Sequence, residues 1–124
     1  MGKTADLKKL IKEQLDTLQG VTYYRRAPET ATFPYKVFSL QKVDTRTDAR
    51  DDIDLCVDIW DKGTSPARVE LIGDQVERLL DNVNLPQETI LPTIYRESRY
   101  TVDDADPNIQ RVQLHFYINF YENE

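Results

Sequence analysis

The segment from Phe33 to Trp60 constrains the fold more than any other part of this 124-residue chain. It contains two runs with strand character, and a charged connection, Asp44–Asp51, lies between them. Apolar and polar residues alternate strictly along the second run, and one face holds Ile53, Leu55, Val57 and Ile59. Alternation of this kind predicts a strand with one buried face and one wet, acidic face. We therefore expect a β-hairpin whose two arms pair with each other.

The arms of this hairpin are long for a chain of this size. Each arm has about ten residues and spans up to ~33 Å, whereas typical strands reach only ~17–20 Å. A domain of this length has a radius of gyration of only about 14 Å. We therefore expect the tip, Asp44–Asp51, to protrude beyond the core.

Two other segments show helical spacing. Apolar residues recur every three or four positions from Leu7 to Leu18, which predicts an amphipathic helix. The same spacing runs from Val69 to Val83 and predicts a second helix, with Ser65 as its cap. Leu85-Pro86 is expected to end that helix.

Three further segments are expected to form strands. Val21–Arg25 is short, and Thr89–Tyr100 is interrupted near a proline. The last run, Val112–Tyr121, alternates cleanly and turns Tyr117 outward.

The order of these elements predicts the fold class. Helices and strands of this kind give an α+β fold: a mainly antiparallel (mixed) sheet with two helices packed on one face and a long protruding β-hairpin. Because no repeat, linker or low-complexity tract interrupts the chain, we expect residues 1–124 to form one domain.

Charge and composition argue against several classes of function. The net charge is −6, and nonspecific nucleic-acid affinity depends on Lys and Arg displacing counterions. No apolar run approaches ~20 residues, so we expect no membrane span. Cys56 is the one cysteine, which excludes an intramolecular disulfide.

The sequence carries no recognisable catalytic signature. His115 is the only histidine, and no fixed carboxylate or nucleophile lies near it in the sequence, so no triad is predicted. The four glycines are scattered and form no phosphate-binding loop. We therefore predict no catalytic residues and no cofactor.

The second arm of the hairpin and the connection before it are rich in aspartate, with seven from Asp44 to Asp61. Hard cations bind several carboxylate oxygens, so a metal-dependent hydrolase is an alternative function. The segment lacks the glycine and the fixed spacing of a calcium loop. A solvated strand face that discourages pairing with other chains explains the same residues, and we predict no metal site.

Tyrosine is abundant in the chain, which has seven. Several of these tyrosines are expected on strand faces opposite the core. Tyrosine is enriched at protein–protein interfaces, although its ordinary preference for strands explains the same positions.

Four features taken together resemble a known family. They are a helix that leads into Tyr23–Pro28, a Phe33-Pro34-Tyr35 strand entry, an Asp-rich strand that ends in Val57–Asp61, and a second helix followed by the Gln113–Tyr121 strand. In this pattern the whole chain is similar to the small tail terminator, or tail completion, proteins of long-tailed bacteriophages and prophages.

The resemblance implies a structural protein without enzymatic activity. Such proteins form hexameric rings that cap the finished tail tube, stop its growth and provide the surface that joins the head. It implies contacts with other copies of the chain, with the tail tube protein and with a head-completion or connector protein. Double-stranded DNA would pass through without specific binding, and no membrane would be involved. The expected location is the phage tail, after assembly in the bacterial cytoplasm.

Related proteins share parts of the pattern, so other functions stay open. Another head–tail connector, such as a head-completion or neck protein, is the first alternative. A small host adaptor domain is another, for which the acidic surface alone is adequate.

Surface chemistry suggests the site residues. We expect oligomer or partner contacts at the hairpin and the last strand: Asp44, Arg46, Asp48, Arg50, Asp51, Asp52, Tyr117 and Tyr121. An acidic lumen repels the phosphates of passing DNA. We therefore expect four further residues to face the channel: Asp54, Asp103, Asp104 and Asp106.

Overall fold

A computed structural model describes residues 3–45 and 50–122 of the chain. Its two helices are α1 (Lys3–Leu15) and α2 (Ala67–Leu80). Within the described residues the strands are β1 (Val21–Tyr24), β2 (Tyr35–Thr45), β3 (Arg50–Lys62), β4 (Val83–Asn84), β5 (Ile90–Thr101) and β6 (Ile109–Glu122).

The strands form one mixed sheet in the order β1-β2-β3-β6-β5-β4. Strand β1 is parallel to β2, and the other neighbours are antiparallel. The central pair, β3 and β6, stays in register from Arg50 opposite Tyr121 to Lys62 opposite Ile109. Helix α1 contacts both β1 and β5, although three strands separate them, so the sheet curls around this helix. The fold class is α+β, as the sequence predicts.

Both helices pack on one face of the sheet. Their apolar residues at three-four spacing enter the same cluster as the inward residues of the strands. The helices contribute Leu7, Leu10, Ile11, Leu15, Val69, Ile72, Val76 and Leu80. The two central strands contribute Ile53, Leu55, Val57, Ile59, Val112, Leu114, Phe116 and Ile118. Burial of each large apolar side chain contributes about 1.5–3 kcal/mol, so this alternation largely determines which face is covered.

Helix α2 ends earlier than its apolar spacing predicts. Its last residue is Leu80, and Asn82 follows with a positive φ of 56°. That conformation turns the chain, and Val83 then pairs with Ile94 in the short strand β4. At the other end the N-cap residue is Pro66 rather than the predicted Ser65, and it makes no side-chain cap hydrogen bond. Ser65 lies one residue earlier, and its Oγ accepts a hydrogen bond from the backbone N–H of Ala67 at 3.1 Å.

Strands β2 and β3 form the antiparallel pair expected from the sequence. They pair from Tyr35 opposite Trp60 to Thr45 opposite Asp51, and the register shifts near Lys42. Residues 46–49 lie outside the described residues, so the protrusion of the tip stays a prediction. Within the described residues, neither helix has the length and apolar character needed to cross a lipid bilayer.

Candidate functional site

The face of the sheet turned away from α1 and α2 carries most of the outward polar and aromatic residues. We call it the open face, because within residues 3–45 and 50–122 both helices lie on the opposite side. Alternation along β3 and β6 places every second residue here, including Asp54, Asp58, Gln113 and Tyr117. The open face is therefore a surface that the fold leaves available for contacts with partners.

A row of rings crosses the open face at one end. The rings of Tyr35 and Trp60 stack with centroids 6.1 Å apart and planes inclined by 15°, and Tyr23 meets Tyr35 edge-on at 6.0 Å. The guanidinium carbon of Arg111 lies 4.4 Å from the Trp60 ring centroid. The register explains the row, because Trp60 lies opposite both Tyr35 and Arg111. We call Tyr23, Tyr35, Trp60 and Arg111 the aromatic row.

Hydrogen bonds hold the cation of the aromatic row in place. Asp58 Oδ1 accepts hydrogen bonds from Arg111 Nε and Gln113 Nε2, both at 3.0 Å. Gln113 Oε1 lies 3.0 Å from His115 Nε2. Because each side chain fixes the next, this part of the surface is ordered before any partner binds, which reduces the entropy cost of association.

A second group of exposed apolar and aromatic side chains lies along β5 and β6 on the open face. We call Leu91, Tyr95, Tyr100 and Tyr121 the tyrosine patch. Their exposed fractions run from 39% for Leu91 to 54% for Tyr100. Leu91 lies opposite Tyr121 in the β5–β6 ladder. Tyr95 and Tyr100 lie further along β5, opposite Tyr117 and Gln113. Exposed tyrosines are typical of surfaces that bind proteins.

His115 has nearer neighbours than the sequence suggests. The β3–β6 register puts Cys56 directly opposite His115, and the Cys56 Sγ lies 3.9 Å from His115 Nε2. Asp54 Oδ2 lies 3.5 Å from His115 Nδ1. Sequence distance did not reveal these neighbours, because strand pairing joins residues that are far apart in sequence.

This trio has the composition of a nucleophilic triad without its chemistry. Burial, reinforced by the carboxylates of Asp58 and Asp54, raises the pKa of the Cys56 thiol to about 12, whereas a nucleophilic cysteine needs a lowered pKa. The His115 Nε2 that would accept the thiol proton lies closer to Gln113 Oε1, at 3.0 Å. That oxygen only accepts hydrogen bonds, so the contact requires a proton on Nε2. The trio is therefore suited to fixing the sheet surface rather than to attacking a substrate.

Among residues 3–45 and 50–122, no group of three or more His, Cys, Asp or Glu side chains is arranged to hold a metal ion.

The structure places the predicted partner-contact residues as follows. Tyr117 and Tyr121 lie on the open face, and Tyr121 belongs to the tyrosine patch. Asp52 also lies on this side, but its side chain is only 1% exposed, so it is not accessible to a partner. Arg46 and Asp48 lie outside the described residues. The remaining three residues lie in the paired strands β2 and β3, where the structure describes only their backbone: Asp44, Arg50 and Asp51.

The predicted channel residues do not form one patch. Asp54 lies in the middle of β3, opposite Tyr117. The other three, Asp103, Asp104 and Asp106, lie in the β5–β6 loop near the end of β3 at Lys62. Asp54 and Lys62 are eight residues apart along β3, so the distance between Asp54 and this loop is about 26 Å.

The β5–β6 loop borders a small cleft beside the start of α2. The cleft has a volume of about 120 Å³. Its carboxylates are Glu70, Asp103, Asp104 and Asp106, and its apolar lining includes Val69, Val102 and Pro107. Arg111 also borders the cleft, but its guanidinium pairs with Asp58 at 2.9 Å. Asp104 Oδ1 and Asp106 Oδ1 accept hydrogen bonds from backbone N–H groups two residues further on, each at 2.9 Å, which fixes the loop. We call this the acidic cleft.

Comparison with known proteins gives a match in structure but not in sequence. No protein-family model matches the chain, and no curated protein matches it in sequence. Among solved structures, the fold is similar to that of a chain from the virion of a native gene transfer agent particle, with a TM-score of 0.65 and 13% sequence identity. The match covers 91% of this chain and 85% of the other. At this identity the similarity shows a shared fold.

Proposed function

We propose that this chain is a structural component of a phage or phage-like virion, and that within this class it is a tail terminator. In this role, copies of the chain form a hexameric ring on the finished tail tube, stop its growth and present the surface that joins the head. The ring acts through contacts alone and requires no catalysis.

The observation that carries the proposal is the similarity of fold to a virion chain over 91% of the present chain. Both chains are covered almost completely, so the similarity concerns the whole architecture rather than one common motif. The resemblance of the sequence to tail terminators, from Tyr23–Pro28 to Gln113–Tyr121, supports the same class independently.

The open face supports a function in assembly. Arg, Tyr and Trp are enriched among the residues that dominate binding energy at protein interfaces. The aromatic row joins these three residue types on neighbouring strands, and the Asp58–Gln113 network holds Arg111 before any partner arrives. In the ring, this face binds the tail tube, the head connector or a second copy.

The charge of the chain fits the passage of DNA. With a net charge of −6, the ring repels phosphates and releases the genome rather than retaining it. We assign this function to Asp54 or to the loop residues Asp103, Asp104 and Asp106. These positions are about 26 Å apart along β3, so they are two separate candidates for the channel surface.

A head-completion or neck protein is the second candidate, because similarity to a virion chain does not distinguish between the two functions. The two functions differ in partner rather than in chemistry. They therefore require a test in which tail length and head joining are scored separately.

The test is deletion of the coding sequence from the virus or prophage that encodes the chain, followed by negative-stain electron microscopy of the particles. For a tail terminator, we expect tails of variable and excessive length without attached heads, and restoration of uniform length by the wild-type chain supplied in trans. Tails of normal length without heads would favour the neck protein. Normal, joined virions would contradict both functions.

A further inference from the structure

Charge is distributed unevenly along the chain. Residues 1–42, which form α1, β1 and most of β2, hold eight Lys or Arg and four Asp or Glu, a net charge of +4. Residues 43–124 hold eight Lys or Arg and eighteen Asp or Glu, a net charge of −10. The sheet order puts β1 at one edge and separates it from β5 by three strands. The basic and acidic surfaces therefore lie on different parts of the subunit.

The basic surface is concentrated at the edge strand β1. Lys8 of α1 reaches this strand, with its Nζ 4.5 Å from the centroid of the Tyr24 ring, and Arg25 and Arg26 follow directly and are exposed. Within the described residues, no carboxylate lies within ion-pair distance of these three cations. We call Lys8, Arg25, Arg26 and β1 the basic edge.

The basic edge has two further properties of an interaction surface. Val21, at the start of β1, is 53% exposed although it is apolar. Arg25 has a φ of 71°, a conformation that costs a non-glycine residue of order 1–3 kcal/mol and that is concentrated at functional sites. A glycine at position 25 would avoid this conformational cost. The presence of arginine there suggests that its side chain has a function.

The acidic cleft complements the basic edge in charge. Its four carboxylates, those of Glu70, Asp103, Asp104 and Asp106, have no Lys or Arg partner within ion-pair distance among the described residues. Its apolar lining, which includes Val102, can pack against the methylene stem of a long cationic side chain. Charge-assisted hydrogen bonds from a guanidinium to carboxylates are about twice as strong as neutral ones. The cleft therefore suits an arginine.

We propose that copies of this chain associate head to tail, with the basic edge of one copy against the acidic cleft of the next and with Arg25 or Arg26 in the cleft. Each copy uses two different patches, so the contact is heterologous and propagates until it closes into a ring. The inference rests on the proposed function and specifies which surfaces build the ring.

Two charge-reversal variants test this contact. One reverses the basic edge (Arg25→Glu with Arg26→Glu), and the other reverses the cleft (Asp103→Lys with Asp104→Lys). Light scattering after size-exclusion chromatography at low ionic strength measures the mass of each variant. We expect the wild type to assemble and each variant alone to associate at least tenfold more weakly, because like charges then meet at every contact. An equimolar mixture should assemble again, because each variant presents to the other a complementary pair of surfaces.

Two matched controls change the same number of charges elsewhere on exposed residues. They are Lys9→Glu with Arg78→Glu, and Glu29→Lys with Glu97→Lys. Both should assemble like the wild type. Circular dichroism verifies that all variants keep their fold.

Three results would overturn the proposal: a wild-type chain that stays monomeric, variants that assemble like the wild type, or a mixture that does not recover. The last two would leave the tail terminator function intact, since that function is tested by tail length. Abnormal tail length on deletion, combined with insensitivity to these charge reversals, would place the ring contact on another surface.

Discussion

The ammonium nitrogen of Lys36 lies 2.5 Å from the carbonyl oxygen of Gly20, and the lysine side chain is completely buried. It also donates hydrogen bonds to the carbonyl oxygens of Gln19 at 2.7 Å and Leu18 at 3.4 Å. The cation therefore joins the turn after α1 to strand β2 on the covered face of the sheet. Burial lowers the pKa of Lys36 to about 8, although the carboxylate of Asp16 opposes this effect.

Replacing this cation should destabilise the fold. Lys36→Met keeps the length of the side chain but leaves three carbonyl oxygens without their donor, which should lower the free energy of unfolding by about 2 kcal/mol at pH 7. Urea denaturation of the two proteins measures the difference. A Lys36→Met protein as stable as the wild type would show that these carbonyls do not depend on the lysine.

The same pair of proteins should differ in pH dependence. Since the pKa of Lys36 is about 8 in the folded chain and ~10.4 in an unfolded one, the unfolded state binds more protons between these two pH values. The contribution of Lys36 to stability therefore increases as pH rises through this window, by at most about 1.4 kcal/mol per pH unit. The gap in free energy of unfolding between the wild type and Lys36→Met should be wider at pH 10 than at pH 7. A gap that narrows would mean that the folded protein holds the proton more tightly than the unfolded chain.

The ion pair between Asp61 and Arg68 should stabilise the start of α2. Asp61 is 3% exposed and accepts hydrogen bonds from Arg68 Nε at 2.8 Å and from the backbone N–H of Lys62 at 2.8 Å. The guanidinium holds the pKa of Asp61 below its ordinary value of 3.8. Because Arg68 is about half exposed, solvent screens the pair, and Asp61→Asn should cost only about 1 kcal/mol at pH 7.

Acid should remove this difference. A lowered carboxyl pKa gives a contribution to stability that is complete above the unfolded value and is lost as pH falls through the folded value. The difference between wild type and Asp61→Asn should therefore be constant from neutral pH to about pH 5 and should shrink below about pH 4. Thermal unfolding across this range provides the measurement, and a difference that persists at the acidic end would contradict the charged interaction.

Gly20 should be intolerant of a side chain. Its φ is +90°, and a Cβ at this position would lie 2.8 Å from the backbone oxygen of Pro34. Gly63 also has a positive φ, +149°, but a Cβ there would have no neighbour within 4 Å. Gly63→Ala therefore carries the conformational cost alone, whereas Gly20→Ala adds a clash with backbone. We expect Gly20→Ala to be more destabilising than Gly63→Ala by about 1–2 kcal/mol in chemical denaturation, and equal values would exclude the clash.

The thiol of Cys56 should be unreactive while the chain is folded. Burial is the largest cause that raises its pKa to about 12, so very little thiolate is present at pH 8. Reaction with an aromatic disulfide reagent at pH 8 should be at least about 100-fold slower in the native protein than in guanidinium chloride. Because Cys56 is the only cysteine, the signal is unambiguous. A native rate close to the denatured one would mean that the β3–β6 surface around His115 opens readily.

Strand alternation was enough to predict which residues face the core. Every second residue from Ile53 to Ile59 is buried, because the side-chain period of a strand leaves no other arrangement once one face is covered. The same reasoning correctly turned Tyr117 and Tyr121 to the opposite face. Helix α2 was predictable from its spacing except at its end, where the positive φ of Asn82 returns the chain to the sheet.

The contacts that cross between strands could not be predicted. Cys56 and His115 are 59 residues apart in sequence, and only the β3–β6 register makes them neighbours. The burial of Lys36 depends on three carbonyl groups in the turn after α1, and the type of residue at position 36 does not reveal these partners. Only part of the aromatic row could be predicted from the sequence. Alternation turned Trp60 outward, but its contact with Arg111 follows from the β3–β6 register, which the sequence does not show.

The most direct test of the account is negative-stain electron microscopy of the purified chain at low ionic strength, with its mass measured in parallel. We predict closed, six-fold rings with about six times the mass of one chain. A preparation that contains only monomers, or open filaments that never close, would contradict it.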